Sequence, residues 1–354
     1  MPFVDEILKY RSLSIVGLEK NTGKTECLNY ILRRLEGSGH RLAVTSIGVD
    51  GEKTDAVTGT PKPETDLYKS MIFITSEKHF RQKKLTAEIL EVSEKSTALG
   101  RLVTARALSK GKVMFSGPAD TLWTKQIIDR MADYNVDTTI IDGAISRVSH
   151  GSPAITDSMI LTTGAAVSAN IPKLVSHTKY VIEMIGLEEF CEVTSRSEEI
   201  PGFPMSHLSD LSTKTNLLST ASGIYAISPD GTIHNLHIPS VFLLKDHEHE
   251  LFKHGNTLYV AGAVSDRVLD FIRMQKAFRN TTLIVRDFTR LFVKPETYKA
   301  FINSGHKLQV LLRTKLIAVC VNPVSPEGYV LNSAELCAGL SQAINLPVYD
   351  IKKQ

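Results

Sequence analysis

Short apolar runs and amphipathic stripes alternate along the first half of the chain. Leu13, Ile15 and Val16, flanked by Ser, form a buried-strand pattern. Leu28, Ile31, Leu32 and Leu35 then recur at helical spacing, and Gly37 and Gly39 supply left-handed stops. Further strands are expected at 42–47, 73–75, 112–115, 136–142 and 158–164. Helices are expected at 99–108, 119–134 and 168–186, and 85–94 reads equally as strand or helix. Strands alternating with helices predict a parallel, doubly wound sheet.

Residues 192–222 are rich in Ser and Thr, with Pro201, Gly202 and Pro204, which suggests a boundary. The predicted division is a nucleotide-binding domain over 1–195, a linker over 196–222 and a smaller α/β domain over 223–354. In the second domain Pro229-Asp230-Gly231 separates two β-rich runs as a hairpin would. Strands are expected at 257–261, 283–285, 309–312, 317–321 and 347–351, with helices at 266–278 and 333–344, the last capped by Ser333.

The chemistry concentrates between the first strand and the first helix, in Gly17-Leu-Glu-Lys20-Asn21-Thr22-Gly23-Lys24-Thr25. A Gly-bearing loop opening a helix with Gly-Lys-Thr is a phosphate-binding pattern, because converging backbone N–H groups and the helix dipole favour an anion there. Gly17 stands one position early for G-x-x-x-x-G-K-[ST], and an ordinary strand-to-helix turn is the bland alternative. The expected phosphate-binding set is Lys20, Asn21, Thr22, Gly23, Lys24, Thr25 and Glu26, with Lys24 reaching the terminal phosphates and Arg147 as an outlying candidate. The run Val136–Ile141 ends in Asp142, the arrangement that lets a carboxylate share Mg²⁺ with the Thr25 hydroxyl. Lys24, Asp50 and Glu52 are the catalytic candidates, the two acids because they follow a strand at the edge where ligands bind. An Asp-Gly turn explains the same acidic pair without chemistry.

Charge narrows the function classes. The 354 residues carry 41 basic and 38 acidic side chains, a net +3 without a like-charged block, which argues against nucleic acid as the main partner. Four scattered Cys make no zinc or redox pair, the N-terminus is too polar for a signal peptide, and no run is long enough to span a bilayer. A reduced, cytoplasmic protein is expected. His234, His237, His247, His249 and His254 lie among acids, but without a metal-ligand spacing they read as a solvated loop. Asp157 reads as a cap or turn, and Asp266–Arg267 and Asp287–Arg290 as surface or capping pairs.

VGLEKNTGKTECLNYIL at 16–32, SIGVDGEKTD at 46–55, IIDGAISR at 140–147 and TDSMILTTGAAVS at 156–168 resemble the P-loop reactivase subunits of lysine 5,6-aminomutase from lysine-fermenting bacteria. At fold level the same stretches are similar to the nucleotide-binding protein of molybdopterin-guanine dinucleotide synthesis. The resemblance implies a P-loop NTPase that uses ATP with Mg²⁺ to reactivate an adenosylcobalamin-dependent aminomutase. Its implied partners are the aminomutase or a second reactivase subunit, with a homodimer also open. No N-K-x-D guanine signature is present, which leans towards ATP. A small-molecule kinase or ligase of cofactor biosynthesis is the main alternative, and a nucleotide-binding scaffold without turnover is a third.

Overall fold

The computed structural model describes residues 3–47, 64–118, 120–143, 155–190, 196–197, 222–275 and 280–353. It divides into two compact units, Met1–Ile182 with Lys315–Gln354, and Glu183–Thr314 between them. The expected division at 195 and 223 is therefore corrected. The last 40 residues, 315–354, return to the first unit, and the second unit is an insertion.

The first unit is built on a mixed sheet. After α1 (Phe3–Ile7), the elements are β1 (Ser12–Gly17), α2 (Lys24–Leu35), β2 (Leu42–Ser46), β3 (Thr65–Leu67) and β4 (Ile72–Ser76). Next come α3 (Glu77–Arg81), β5 (Ala87–Thr97), β6 (Gly100–Ala107), β7 (Gly111–Val113), α4 (Thr121–Arg130), β8 (Thr138–Asp142), β9 (Ser158–Gly164) and α5 (Ile171–Ile185). Nine strands hydrogen-bond in the order β19-β18-β9-β1-β8-β2-β4-β6-β5, where β18 (Lys315–Asn322) and β19 (Val348–Asp350) come from the end of the chain. From β19 to β4 every pairing is parallel, while β6 and β5 add an antiparallel ribbon.

Strands buried on both faces carry continuous apolar runs rather than alternation. Ile140 of β8 packs in the cluster with Leu28 and Ile31 of α2, while the adjacent Ile141 packs with Ile128 of α4. Cys320 and Val321 of β18 divide in the same way, Val321 meeting Leu174 of α5 together with Leu336 and Leu340. Helices thus cover both faces of the parallel part of the sheet.

Residues 99–108, expected as a helix, are instead strand β6. Gly100 at φ +95° follows a tight turn in which the Thr97 hydroxyl donates to the Gly100 carbonyl (2.8 Å). The β-branched Val103 and Thr104 then sit between β4 and β5, and pairing on both sides overrides the helical spacing of the leucines. Residues 87–97 resolve as the edge strand β5, paired with β6 on one side. Asp157 holds the opposite end of the sheet: its carboxylate accepts from Ser12 N–H (3.1 Å) while its own N–H donates to the Ser12 hydroxyl (2.9 Å).

The second unit has a six-stranded sheet in the order β10-β12-β11-β13-β15-β17. Its strands are β10 (Arg196–Ser197), β11 (Ile224–Ile227), β12 (Thr232–Ile238), β13 (Thr257–Val260), β15 (Thr282–Val285) and β17 (Lys307–Val310), and a small pair joins β14 (Val264–Ser265) to β16 (Leu291–Phe292). Its helices are α6 (Glu248–Leu251), α7 (Asp266–Met274) and α8 (Pro295–Asn303). β13, β15 and β17 run parallel, and the hairpin at Pro229-Asp230-Gly231 joins β11 to β12 as expected. Back in the first unit, α9 (Ser333–Ala343) is capped by Asn332, which accepts from Ala334 and Glu335 N–H. Ser333, the expected cap, bonds Asp350 instead.

Candidate functional site

The carboxyl ends of β1, β8, β9 and β18 meet beneath the loop that opens α2. Leu18 N–H donates to the Thr162 carbonyl (2.9 Å), and the Thr22 hydroxyl donates to the Glu19 carbonyl (2.9 Å) and lies 3.0 Å from the Thr162 hydroxyl. Thr22 is fully buried, so these bonds seat the loop on β9. Asn21 at φ 62° and Gly23 at φ 91° are both left-handed. Such alternation in handedness lets successive N–H groups converge on an anion. Helix α2 begins immediately afterwards at Lys24, with Cys27 N–H donating to the Gly23 carbonyl (2.9 Å).

Gly23 answers a packing demand as well. A Cβ there would lie 2.5 Å from Ile351 Cδ1 and 3.0 Å from Asn322 Cβ. Asn322, the buried last residue of β18, donates from Nδ2 to the Asn21 carbonyl (3.3 Å), and its own carbonyl accepts from Ala165 N–H (2.9 Å). The C-terminal segment therefore backs the loop directly.

Lys24 is half-buried. Desolvation pushes its ammonium pKa down, the nearby Asp142 carboxylate pulls it back up, Lys20 lowers it further and Glu19 raises it. Asp142 ends β8 in register with Ile15 of β1 and Ser46 of β2. Its backbone is pinned: the carbonyl accepts from Ile47 N–H (3.2 Å) and the Ser46 hydroxyl (3.1 Å), while Gly143 N–H donates to Ile15 (3.0 Å). Two neighbouring strands thus hold the carboxylate where its field acts on Lys24.

The expected set divides. Asn21, Thr22, Gly23, Lys24 and the half-buried Thr25 occupy one loop and the first turn of α2, and Lys20, exposed, is close enough to perturb Lys24. Glu26 is exposed on the same turn and pairs with Lys352 (3.0 Å), which makes it a tie to the C-terminal segment. Asp50, Glu52 and Arg147 lie outside the described residues. Sequence reasoning missed Thr162, Asn322, Ile351 and Lys352. A polar residue ending the apolar strand Ile317–Val321 was the one hint for Asn322, and nothing local marks the rest.

Beneath α2, the buried thiols of Cys27 and Cys320 lie 3.6 Å apart, and the Cys27 pKa is pushed well up by the Cys320 hydrogen bond and by burial. In the second unit His234 stacks on His254 with ring centroids 3.8 Å apart and lies 2.8 Å from the Ser228 hydroxyl, while His247 faces Glu250 at 3.7 Å. Asp287 is not a surface partner of Arg290. It is fully buried, bonds Arg286 Nε (2.7 Å) and caps the turn 288–290 through Thr289 N–H (3.0 Å). Among the described residues, no helix is long and apolar enough to cross a membrane.

Comparison with protein-family models, curated proteins and solved structures finds no match to this chain.

Proposed function

We propose that the β1–α2 loop binds the phosphates of ATP, and that the protein is a Mg²⁺-dependent, P-loop ATP-binding and hydrolysing subunit. The observation that carries this reading is the placement of Lys24, at the start of α2, within electrostatic reach of the Asp142 carboxylate at the end of the adjacent parallel strand. A cation and a carboxylate held at the carboxyl edge, beside a loop with two left-handed residues, are what a metal–polyphosphate ligand requires.

Lys24 would contact the terminal phosphates, and the loop N–H groups would surround them. Thr25 and Asp142 are oxygen donors suited to Mg²⁺, which takes one or two protein oxygens and completes its shell with phosphate and water. When bound, the ion would neutralise charge on the phosphates. Among the described residues no group of three His, Cys, Asp or Glu forms a closed metal cage, which is compatible with such a shared site. By resemblance, the work done with ATP is reactivation of an adenosylcobalamin-dependent lysine 5,6-aminomutase, with that enzyme or a second reactivase subunit as partner.

Calorimetric titration of ATP with Mg²⁺ tests the binding step. Saturable binding that weakens at least about tenfold in Lys24→Ala is expected, since charge-assisted contacts of this kind contribute about 1.5–3 kcal/mol. Equal binding to wild type and variant would remove the proposal. Turnover assays then separate the partners: ADP release stimulated by the aminomutase supports the reactivase reading. Release that needs a small metabolite and yields its phosphorylated product supports the kinase alternative.

A further inference from the structure

The second unit holds a cluster for which the phosphate-loop reading has no use. β15 ends at Val285, and the next five residues place Arg286, Asp287 and Arg290 at the carboxyl end of the parallel strands β13, β15 and β17. Ligands in open parallel sheets bind at that edge. Asp287, fully buried, already has both carboxylate oxygens engaged. Oδ2 accepts from Arg286 Nε (2.7 Å), and Oδ1 accepts from Thr289 N–H (3.0 Å) and from the Thr289 hydroxyl.

Arg290 is left differently. It is partly exposed, yet its Nε is buried and meets no acceptor among the described residues. Burial lowers its pKa, the Arg286 guanidinium beside it lowers it further, and Asp287 and the buried Tyr259 only partly restore it. Arg286 and Arg290 thus lie side by side, both within electrostatic reach of Asp287. A buried donor on a cation without an acceptor is costly, and a ligand oxyanion would supply the missing partner. The guanidinium fork matches both carboxylate and phosphate geometry.

We propose that Arg286 and Arg290 form a second, independent anion site in the inserted unit, one that binds a ligand through a phosphate or carboxylate group. Arg290 supplies the unpaired Nε donor and its guanidinium charge, and Arg286, oriented by Asp287, supplies the second charge. The site is separate from the β1–α2 loop and stands whether or not that loop binds ATP.

The test is titration of the full-length protein with inorganic phosphate and, in a second arm, with acetate, at constant ionic strength. The Arg290 Nε–H resonance is followed by ¹H–¹⁵N spectroscopy, and stoichiometry is measured by calorimetry in wild type, Lys24→Ala and Arg290→Gln. A saturable shift of that resonance is expected, retained in Lys24→Ala. Arg290→Gln should lose one binding equivalent, or weaken it at least about tenfold. The arm that saturates at the lower concentration identifies the phosphate or carboxylate class. A resonance unmoved by either anion overturns the proposal, as does an Arg290→Gln variant that binds with the stoichiometry and the affinity of wild type. The wild-type spectrum decides the matter even if the variant fails to fold.

Discussion

Gly23 meets two requirements, and either alone would select against a side chain. Its φ of +91° is a left-handed conformation that L-residues avoid, and a Cβ would press on Ile351 and Asn322. Gly23→Ala should cost about 1–3 kcal/mol in chemical denaturation, with loss of ATP binding that exceeds the loss of stability. Lys24 shows the opposite balance, a charge retained at a cost to the fold. Its folded-state pKa lies below the unfolded value, so the penalty is fully present below the folded-state pKa. As pH rises through the window between the two values, the unfolded chain holds the extra proton and the penalty is relieved. Lys24→Met should therefore raise the ligand-free melting midpoint by about 1–3 °C at pH 7, and the gain should vanish above about pH 10, the ordinary lysine pKa. Equal gains at pH 7 and pH 10.5 would contradict this account. Cys27, buried against Cys320 with its pKa pushed up, should resist a thiol reagent in the native protein, whereas the half-buried Cys337 should react before it. Peptide mapping after brief labelling checks the order.

Elements here are set by their neighbours as much as by their own residues. Helix α2 reads clearly from its stripe because one face meets a core and the other meets water, with Cys27, Leu28, Ile31 and Leu35 buried. β6 misleads because Leu99 and Leu102 fall at helical spacing around its start, while the decisive contacts with β4 and β5 lie elsewhere in sequence. β19 is only three residues long, yet Ile351 just beyond it is buried against Gly23, and Lys352 holds Glu26. Ile351→Ala should cost about 2–4 kcal/mol, as buried Ile truncations do, and should also loosen ATP binding through the loop it supports. Unchanged ATP affinity in a destabilised but folded variant would show that the backing is merely structural.

For the whole molecule, the insertion makes a strong prediction. A chain ending at residue 195 lacks β18 and β19, leaving β9 as a sheet edge with Cys320 and Val321 missing from two cores. It should aggregate or unfold. Joining residue 182 to residue 315 through a short Gly/Ser linker restores the β9–α5–β18 connection within one compact unit. That shortened protein should be monodisperse, melt cooperatively and keep the ATP binding proposed for the β1–α2 loop. Size-exclusion chromatography and calorimetry compare the two, and a stable 1–195 fragment would overturn the division of the chain.

The sequence by itself determined the local grammar: the order of β1, loop and α2, the Gly-Lys-Thr that opens the helix, the apolar run ending in Asp142, and the turn at 229–231. Each of these depends on residues within a few positions of one another, where backbone preference and side-chain period act directly. Only the tertiary structure decided that β18 and β19 close the first sheet, that Asn322 and Ile351 lie against a loop some 300 positions earlier, and that Asp287 is buried beside two arginines. Those contacts are made across strands brought together by burial of apolar surface, and that driving force is proportional to area and indifferent to separation along the chain. Local pattern therefore carries the elements, while their neighbours, and the residues that complete a site from afar, emerge only once the sheet has closed.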